Sequence, residues 1–257
     1  MAIRASEDPR STPVLFAATL EGDYEGKAPW QAVTALRLRG TMEVFELAAD
    51  YCRSRDPKAR ARGLDVLAQL GAGKPDAARP YLGRCVSIAI DLLQDPEAMV
   101  VYSAAWALAH LGTEEAVAAL LRLQRHPDPG VRHAVAVGMA GHNGPQPVAA
   151  LLELMMDPDD TVRDWATFGL GSQSSEDSPQ IREALHQRLG DPYEPARSEA
   201  VWGLSLRHDP AGLRLLLERL ESKSRQQGDE YTAQEILDLE DGATLEDLRA
   251  GVRKLLE

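Results

Sequence analysis

The chain is short of several things, and each shortage excludes something. It has two cysteines, Cys52 and Cys85, in 257 residues. That is too few for a disulfide framework and fits a reducing compartment. No run approaches the roughly 18–20 apolar residues of a membrane span. Asp8 stands ahead of only a short apolar stretch, Val14 to Leu20, which makes a poor secretory signal. A cytoplasmic protein with no membrane partner is expected. Alternating runs rich in Val, Ile and Thr are missing as well, so strands are not expected.

Positive charge is in deficit. Against 40 Asp and Glu stand 28 Lys and Arg, for a formal net charge of −12. Proteins that bind duplexes draw much of their affinity from cations set on phosphates. This balance therefore argues against nucleic acid and favours a basic protein as partner.

Recognisable catalytic spacings are also missing. The six histidines form no H-E-x-x-H and no Cys/His zinc pattern. There is no G-x-S-x-G, P-loop or G-x-G-x-x-G. No catalytic residue, metal or cofactor is assigned, and the expectation is a non-enzyme.

What the chain does contain is itself, repeated. HPDPGVRHAVAVGM from His126, DPDDTVRDWATFGL from Asp157 and DPYEPARSEAVWGL from Asp191 align without gaps. DPEAMVVYSAAWAL from Asp95 fits the same frame, DPKARARGLDVLAQ from Asp56 fits loosely, and QAVTALRLR from Gln31 extends it to a degenerate first unit. The anchors at 23, 56, 95, 126, 157 and 191 lie 33, 39, 31, 31 and 34 residues apart, room for two helices and two turns each. An Asp-Pro pair suits a helix start, Asp as N-cap and Pro in the first turn. Gly71, Gly112, Gly144 and Gly190 are placed at helix ends.

The unit D-P-x-x-x-V-R-x-x-A-x-x-G-L, preceded by an apolar helix, resembles the HEAT repeat, including the bacterial HEAT-like repeats of phycobilisome-lyase type. The resemblance implies an all-α fold. It would be a right-handed α-solenoid of about six stacked helix pairs plus a C-terminal helical cap. The expected division is 1–220 for the solenoid and 221–257 for an acidic loop with the cap. Within the tail, 221–230 reads as loop, and Thr232–Leu239 and Thr244–Leu256 read as short helices.

Asp/Arg pairs recur six residues apart: Asp56 with Arg62, Asp157 with Arg163, Asp191 with Arg197. A catalytic pair is needed once, so repetition marks these as structure. They are expected to cap the turns and to link neighbouring repeats in a ladder.

With each second helix numbered from its Arg position, +1 and +5 fall opposite the core side at 100° per residue. Position +5 holds Trp106, Phe168 and Trp202, and +1 holds Tyr102, His133 and Asp164; Trp165 and Glu199 at +2 flank them. The resemblance implies that second helices line the concave surface. The band then suits a protein interface, where hot spots favour large aromatics. Packing between adjacent repeats competes with that reading.

The function expected is a monomeric, non-catalytic scaffold that binds another protein on its concave face, in one form as an inhibitor or immunity protein covering a basic toxin. Two rivals follow from resemblance: a bilin-lyase-like handler of chromophores, and a HEAT-like DNA glycosylase suggested by Arg163-Asp164-Trp165.

Overall fold

The computed structural model describes residues 8–71, 79, 81–223, 225–239 and 242–257. Residues 1–7, 72–78 and 80 of the expected solenoid, and residues 224, 240 and 241 of the expected tail, lie outside them. Among the described residues there are fifteen α-helices and no strand. The fold is an all-α solenoid of helix pairs. The pairs are α1 (Thr12–Thr19) with α2 (Lys27–Arg39), α3 (Met42–Cys52) with α4 (Pro57–Ala68), and α5 (Leu82–Asp91) with α6 (Ala98–Leu111). Three more follow: α7 (Glu114–Leu121) with α8 (Pro129–Met139), α9 (Pro145–Leu154) with α10 (Asp160–Gly171), and α11 (Pro179–Arg188) with α12 (Glu194–Leu206). Then come α13 (Pro210–Glu221) and, in the tail, α14 (Gln227–Ile236) and α15 (Leu245–Leu255).

The helix starts show how the sequence sets these boundaries. Asp56 and Asp209 are N-caps, accepting from the backbone N–H of Lys58 at 3.0 Å and of Ala211 at 2.9 Å, with Pro following each. Asp157 and Asp191 are not N-caps, contrary to expectation. They sit two residues earlier, where each carboxylate closes a turn on the N–H two residues on, at 2.9 Å for Asp159 and 2.9 Å for Tyr193. The cap of α10 is Asp159, which accepts from Thr161 and Val162. At Asp157 and Asp191 the Asp-Pro pair thus begins the turn, and the helix begins three residues after the Asp, at Asp160 and Glu194. Gly144, expected at a helix end, is the N-cap of α9. Gly112 does end its helix, in the left-handed conformation (φ 63°) that glycine adopts without a Cβ penalty.

The chain divides into two compact units, Met1–Gly138 and Met139–Glu257. In the first, α4 packs between α3 and α6, burying Phe45, Leu64, Leu67 and Leu108 completely. In the second, α12 packs against α10, α11 and α13. Gly203 of α12 lies against Gly171 of α10 so closely that a Cβ on it would come within 2.5 Å of the Gly171 Cα. Side chains at that point would push the two second helices apart.

The tail belongs to the second unit. Leu248 and Val252 of α15 and Ala233 of α14 join Val201, Leu213, Leu216 and Leu220 in one apolar cluster. The stretch 221–230 is not all loop: α14 starts at Gln227 because Gln226 and Asp229 form a capping box, the Gln226 N–H donating to Asp229 Oδ2 at 2.7 Å. A second such box, Thr244 with Asp247, starts α15. Polar residues there are cap chemistry.

Candidate functional site on the second helices

A ladder of arginines fixes the register of the second helices. Arg163 donates to the backbone carbonyl of Asp157 at 2.8 Å and of Pro158 at 3.1 Å. Its remaining edge grips the carboxylate of the next repeat, Asp191, at 2.8 and 3.0 Å. The same guanidinium also touches Asp160. Arg197 and Arg132 make the same carbonyl contacts to Asp191 and Pro192 and to His126 and Pro127. Each arginine therefore meets the backbone of its own turn, and the side-chain pair runs from repeat to repeat. Burial alone would raise the Asp191 carboxyl, but the hydrogen bonds and charge of Arg163 outweigh it and hold it below the usual range.

Arg62 does not occupy a ladder position. Arg60 does, donating to Ser54 and Arg55 carbonyls at 3.0 and 3.2 Å and gripping Asp95 at 2.8 Å through both nitrogens. The pairing of Asp56 with Arg62 is corrected accordingly. Ser54-Arg55 stands where other repeats have Asp-Pro or His-Pro, and Asp56 is equivalent to Asp159.

Arg62 has another task. It is fully buried, with its guanidinium 3.5 Å from the Tyr24 ring centroid and 5.1 Å from that of Trp30. It donates to the Thr19 carbonyl and to Asp65 Oδ2, both at 2.9 Å, and to the Tyr24 carbonyl. Asp65 also accepts from the Tyr24 hydroxyl at 2.7 Å. Burial pushes the Asp65 carboxyl up, against the pull of Tyr24 and the two nearby arginines.

Beside this network lies a pocket of about 110 Å³ walled by Tyr24, Trp30, Tyr102 and Trp106, with Glu25, Arg37, Asp65, Ser103 and His110. Tyr102 is exposed and Trp106 half-buried. The Trp106 ring sits 6.1 Å from Tyr102, 5.7 Å from His110 and 5.1 Å from His133, the last edge-on. The first half thus gathers Tyr102, Trp106 and His133, as the +1/+5 positions require. It adds Trp30, the +1 residue of the degenerate first unit, and Tyr24, Arg37 and Asp65, which sequence reasoning missed. One signal was present: Asp65 is an acid inside the apolar second-helix run GLDVLA.

The second half carries Asp164, Trp165 and Phe168 on α10 and Glu199 and Trp202 on α12. The rings of Trp165 and Phe168 meet edge-to-face at 5.4 Å, both half-buried. Glu199 accepts from the Ser172 hydroxyl at 3.1 Å. Burial pushes its carboxyl up to about 7, nearby Asp164 adding to the rise and Ser172 opposing it. Burial, then Glu194 and Asp191, pushes Asp164 up to about 6. Among the described residues, neither carboxylate has a salt-bridge partner at 4.0 Å or less. Trp202 differs from its neighbours. Its indole N–H donates to Asp229 at 2.8 Å, and its ring lies so close to Gly228 that a Cβ there would come within 2.3 Å. The tail covers Trp202, so most of that ring is packing.

Comparison with known proteins agrees with this architecture. No curated protein matches the chain. Among solved structures, the E. coli protein YibA is similar at 22% identity and TM-score 0.72, over 96% of this chain and 92% of that one. An engineered protein matches at 17% identity and TM-score 0.57, over 95% and 77%. A chain from the structure of Kap95p with RanGDP matches at 14% and 0.60, over 98% of this chain but 35% of that one. At these identities the likeness is one of fold. The family model described as HEAT repeats matches residues 86–171 and 148–228, together more than half of the chain, and the protein belongs to the HEAT-repeat family.

Proposed function

We propose that the protein binds a partner protein through its second helices, and that the partner presents a basic residue to Asp164 and Glu199. One observation carries this reading. The chain supplies arginines to its buried aspartates repeatedly, yet the half-buried carboxylates of Asp164, on the helix that carries the Trp165 and Phe168 ring pair, and of nearby Glu199 receive none. Burying a carboxylate without a counter-ion is costly, and a partner's guanidinium would relieve that cost while stacking on the neighbouring indole. The net charge of −12 adds long-range attraction for a basic protein. In its sharper form the role is that of an inhibitor, covering a basic protein's working surface. A DNA glycosylase built on Arg163-Asp164-Trp165 is disfavoured, because Arg163 is committed to Asp191.

The test is capture from a lysate of the source cells, with wild type beside an Asp164→Asn/Glu199→Gln double variant shown to be folded by circular dichroism. The expected result is a stoichiometric basic protein. Its affinity should fall about tenfold with the variant, in line with loss of charged contacts worth about 1.4 kcal/mol. Salt should weaken it too. Capture of no partner, or of one indifferent to both substitutions and to salt, overturns the reading.

A further inference from the structure

Asp164 and Glu199 stand where the fold opposes charge. Both are half-buried. Glu199 has one neutral donor, the Ser172 hydroxyl at 3.1 Å, and Asp164 has none among the described residues. The charges near enough to act on them are acids: Glu194 and Asp191 on Asp164, and Asp164 on Glu199. We propose that the pair is a proton-operated latch on the basic partner: ionised, it holds the partner's cation, and protonated, it releases it. The latch rests on the cation-binding role given to the pair above and adds its regulation.

The helices packed around the pair bring no cation to relieve it. On α10, Arg163 is spent on Asp191 and Asp160. On α12, Arg197 donates to the carbonyls of Asp191 and Pro192, and Glu194 is itself an acid, accepting from Ser198 and Gln226. Arg207, at the end of α12, grips the carbonyls of Leu170 and Gly171. From α11, Arg188 pairs with Asp191, Arg182 and His186 pair with Asp209, and Glu183 accepts from Gln187. From α13, Arg219 reaches the Ser198 hydroxyl at 2.9 Å and Asp229 of α14 at 3.5 Å, while Arg214 and Glu218 are exposed. On α14, Glu230 pairs with Arg225 and Glu235 is exposed. The one charged residue of α9 is Glu153. A cation for the pair has to come from outside.

Two effects then raise the proton affinity of both acids. Partial burial disfavours the charged form, and the like charges nearby disfavour it again. Burial first, then Asp164, pushes the Glu199 carboxyl up to about 7, and burial with Glu194 and Asp191 pushes that of Asp164 up to about 6. Protonation costs the fold no hydrogen bond. The Ser172 hydroxyl donates to the ionised Glu199 and, turned about its C–O bond, accepts from the neutral acid. Both states suit one structure. The ladder stays closed over the same range, because Arg163 holds Asp191 below the ordinary carboxylate value against the effect of burial.

The sign follows from linkage. A cation binds the ionised pair, so binding expels protons and tightens as pH rises. Each expelled proton changes affinity about tenfold per pH unit below its midpoint. Glu199 governs the range around pH 7, and Asp164 adds its own factor below about pH 6.

The test has two arms on the full chain. In the first, carboxyl carbon NMR follows the acids of the free protein, the two signals being assigned by their loss in Asp164→Asn and Glu199→Gln. Both acids are expected to titrate well above the other carboxylates, and Asp164→Asn to lower the Glu199 midpoint by removing its like charge. In the second, a hexa-arginine peptide is the probe, bound at low salt to wild type and to the Asp164→Asn/Glu199→Gln variant. Wild type should bind about tenfold more weakly at pH 6 than at pH 8. The variant keeps every histidine, so it reports any other pH effect; it should bind more weakly at pH 8 and change little between the two. Should the double variant fail to fold, Glu199→Gln alone carries the comparison, since glutamine keeps an acceptor for Ser172. Equal binding by wild type and variant at pH 8 sinks the cation-binding role itself, and the latch with it. A variant effect at pH 8 that persists undiminished at pH 6, or two acids titrating in the ordinary carboxylate range, overturns the latch and leaves that role standing.

Discussion

The two halves use one repeat to opposite ends. In the first half the arginines turn inward. Arg62 and Arg37 gather on Asp65, Tyr24 and Trp30, and every buried acid there has its cation. In the second half the ladder arginines are equally committed, but Asp164 and Glu199 stand half-buried on the second helices with no cation of their own. Whether such a position is core or surface chemistry depends on whether the chain brings the counter-ion. The first half leaves an aromatic pocket beside a paired network, and the second leaves two carboxylates without a cation.

The comparison breaks most visibly at Arg62. Arg62→Met leaves Asp65 buried without its cation, and the carbonyls of Thr19 and Tyr24 lose their donor. Removing one partner of a buried pair costs about 3–5 kcal/mol, and urea denaturation should show that loss. The matching change in the second half, Arg163→Met, is expected to cost less, about 2–4 kcal/mol, because Asp191 keeps Arg188 at 2.8 Å. Equal costs would mean that the two halves are held by the same kind of contact after all.

These differences were legible in the sequence to unequal degrees. Helix pairs could be read because turn chemistry and apolar period are local, and Asp-Pro recurs in plain sight. The ladder register at the second repeat was misread because DPKARAR offers two arginines. A spacing of six from Asp56 selects Arg62, whereas the carbonyls that receive the ladder arginine belong to Ser54 and Arg55. The aromatic positions Trp106, Phe168 and Trp202 came from helical geometry alone. Their fates did not, because Trp202 is covered by α14, a neighbour 27 residues away. The pocket was out of reach for the same reason. Tyr24, Trp30 and Arg37 lie in the degenerate first unit and meet Trp106 only through packing between repeats.

The subtlest contrast is one of pH. The folded pKa of Glu199 is raised to about 7 from an ordinary 4.5, so the fold prefers the protonated acid. Stability from this preference is fully present below about pH 4.5 and is lost as pH rises through about 7. Glu199→Gln mimics the protonated form permanently. At pH 8 the variant should be more stable than wild type by about 1–2 kcal/mol, the full conversion of the shift being discounted for the part of the side chain that stays in water. At pH 4 the two should coincide. Thermal melts at both pH values read this directly, and a variant no more stable at pH 8 would mean that the carboxylate already has its counter-ion within the chain. In that case the acidic face of the second half would be closed like the network around Asp65, and the contrast between the halves would rest on the pocket alone.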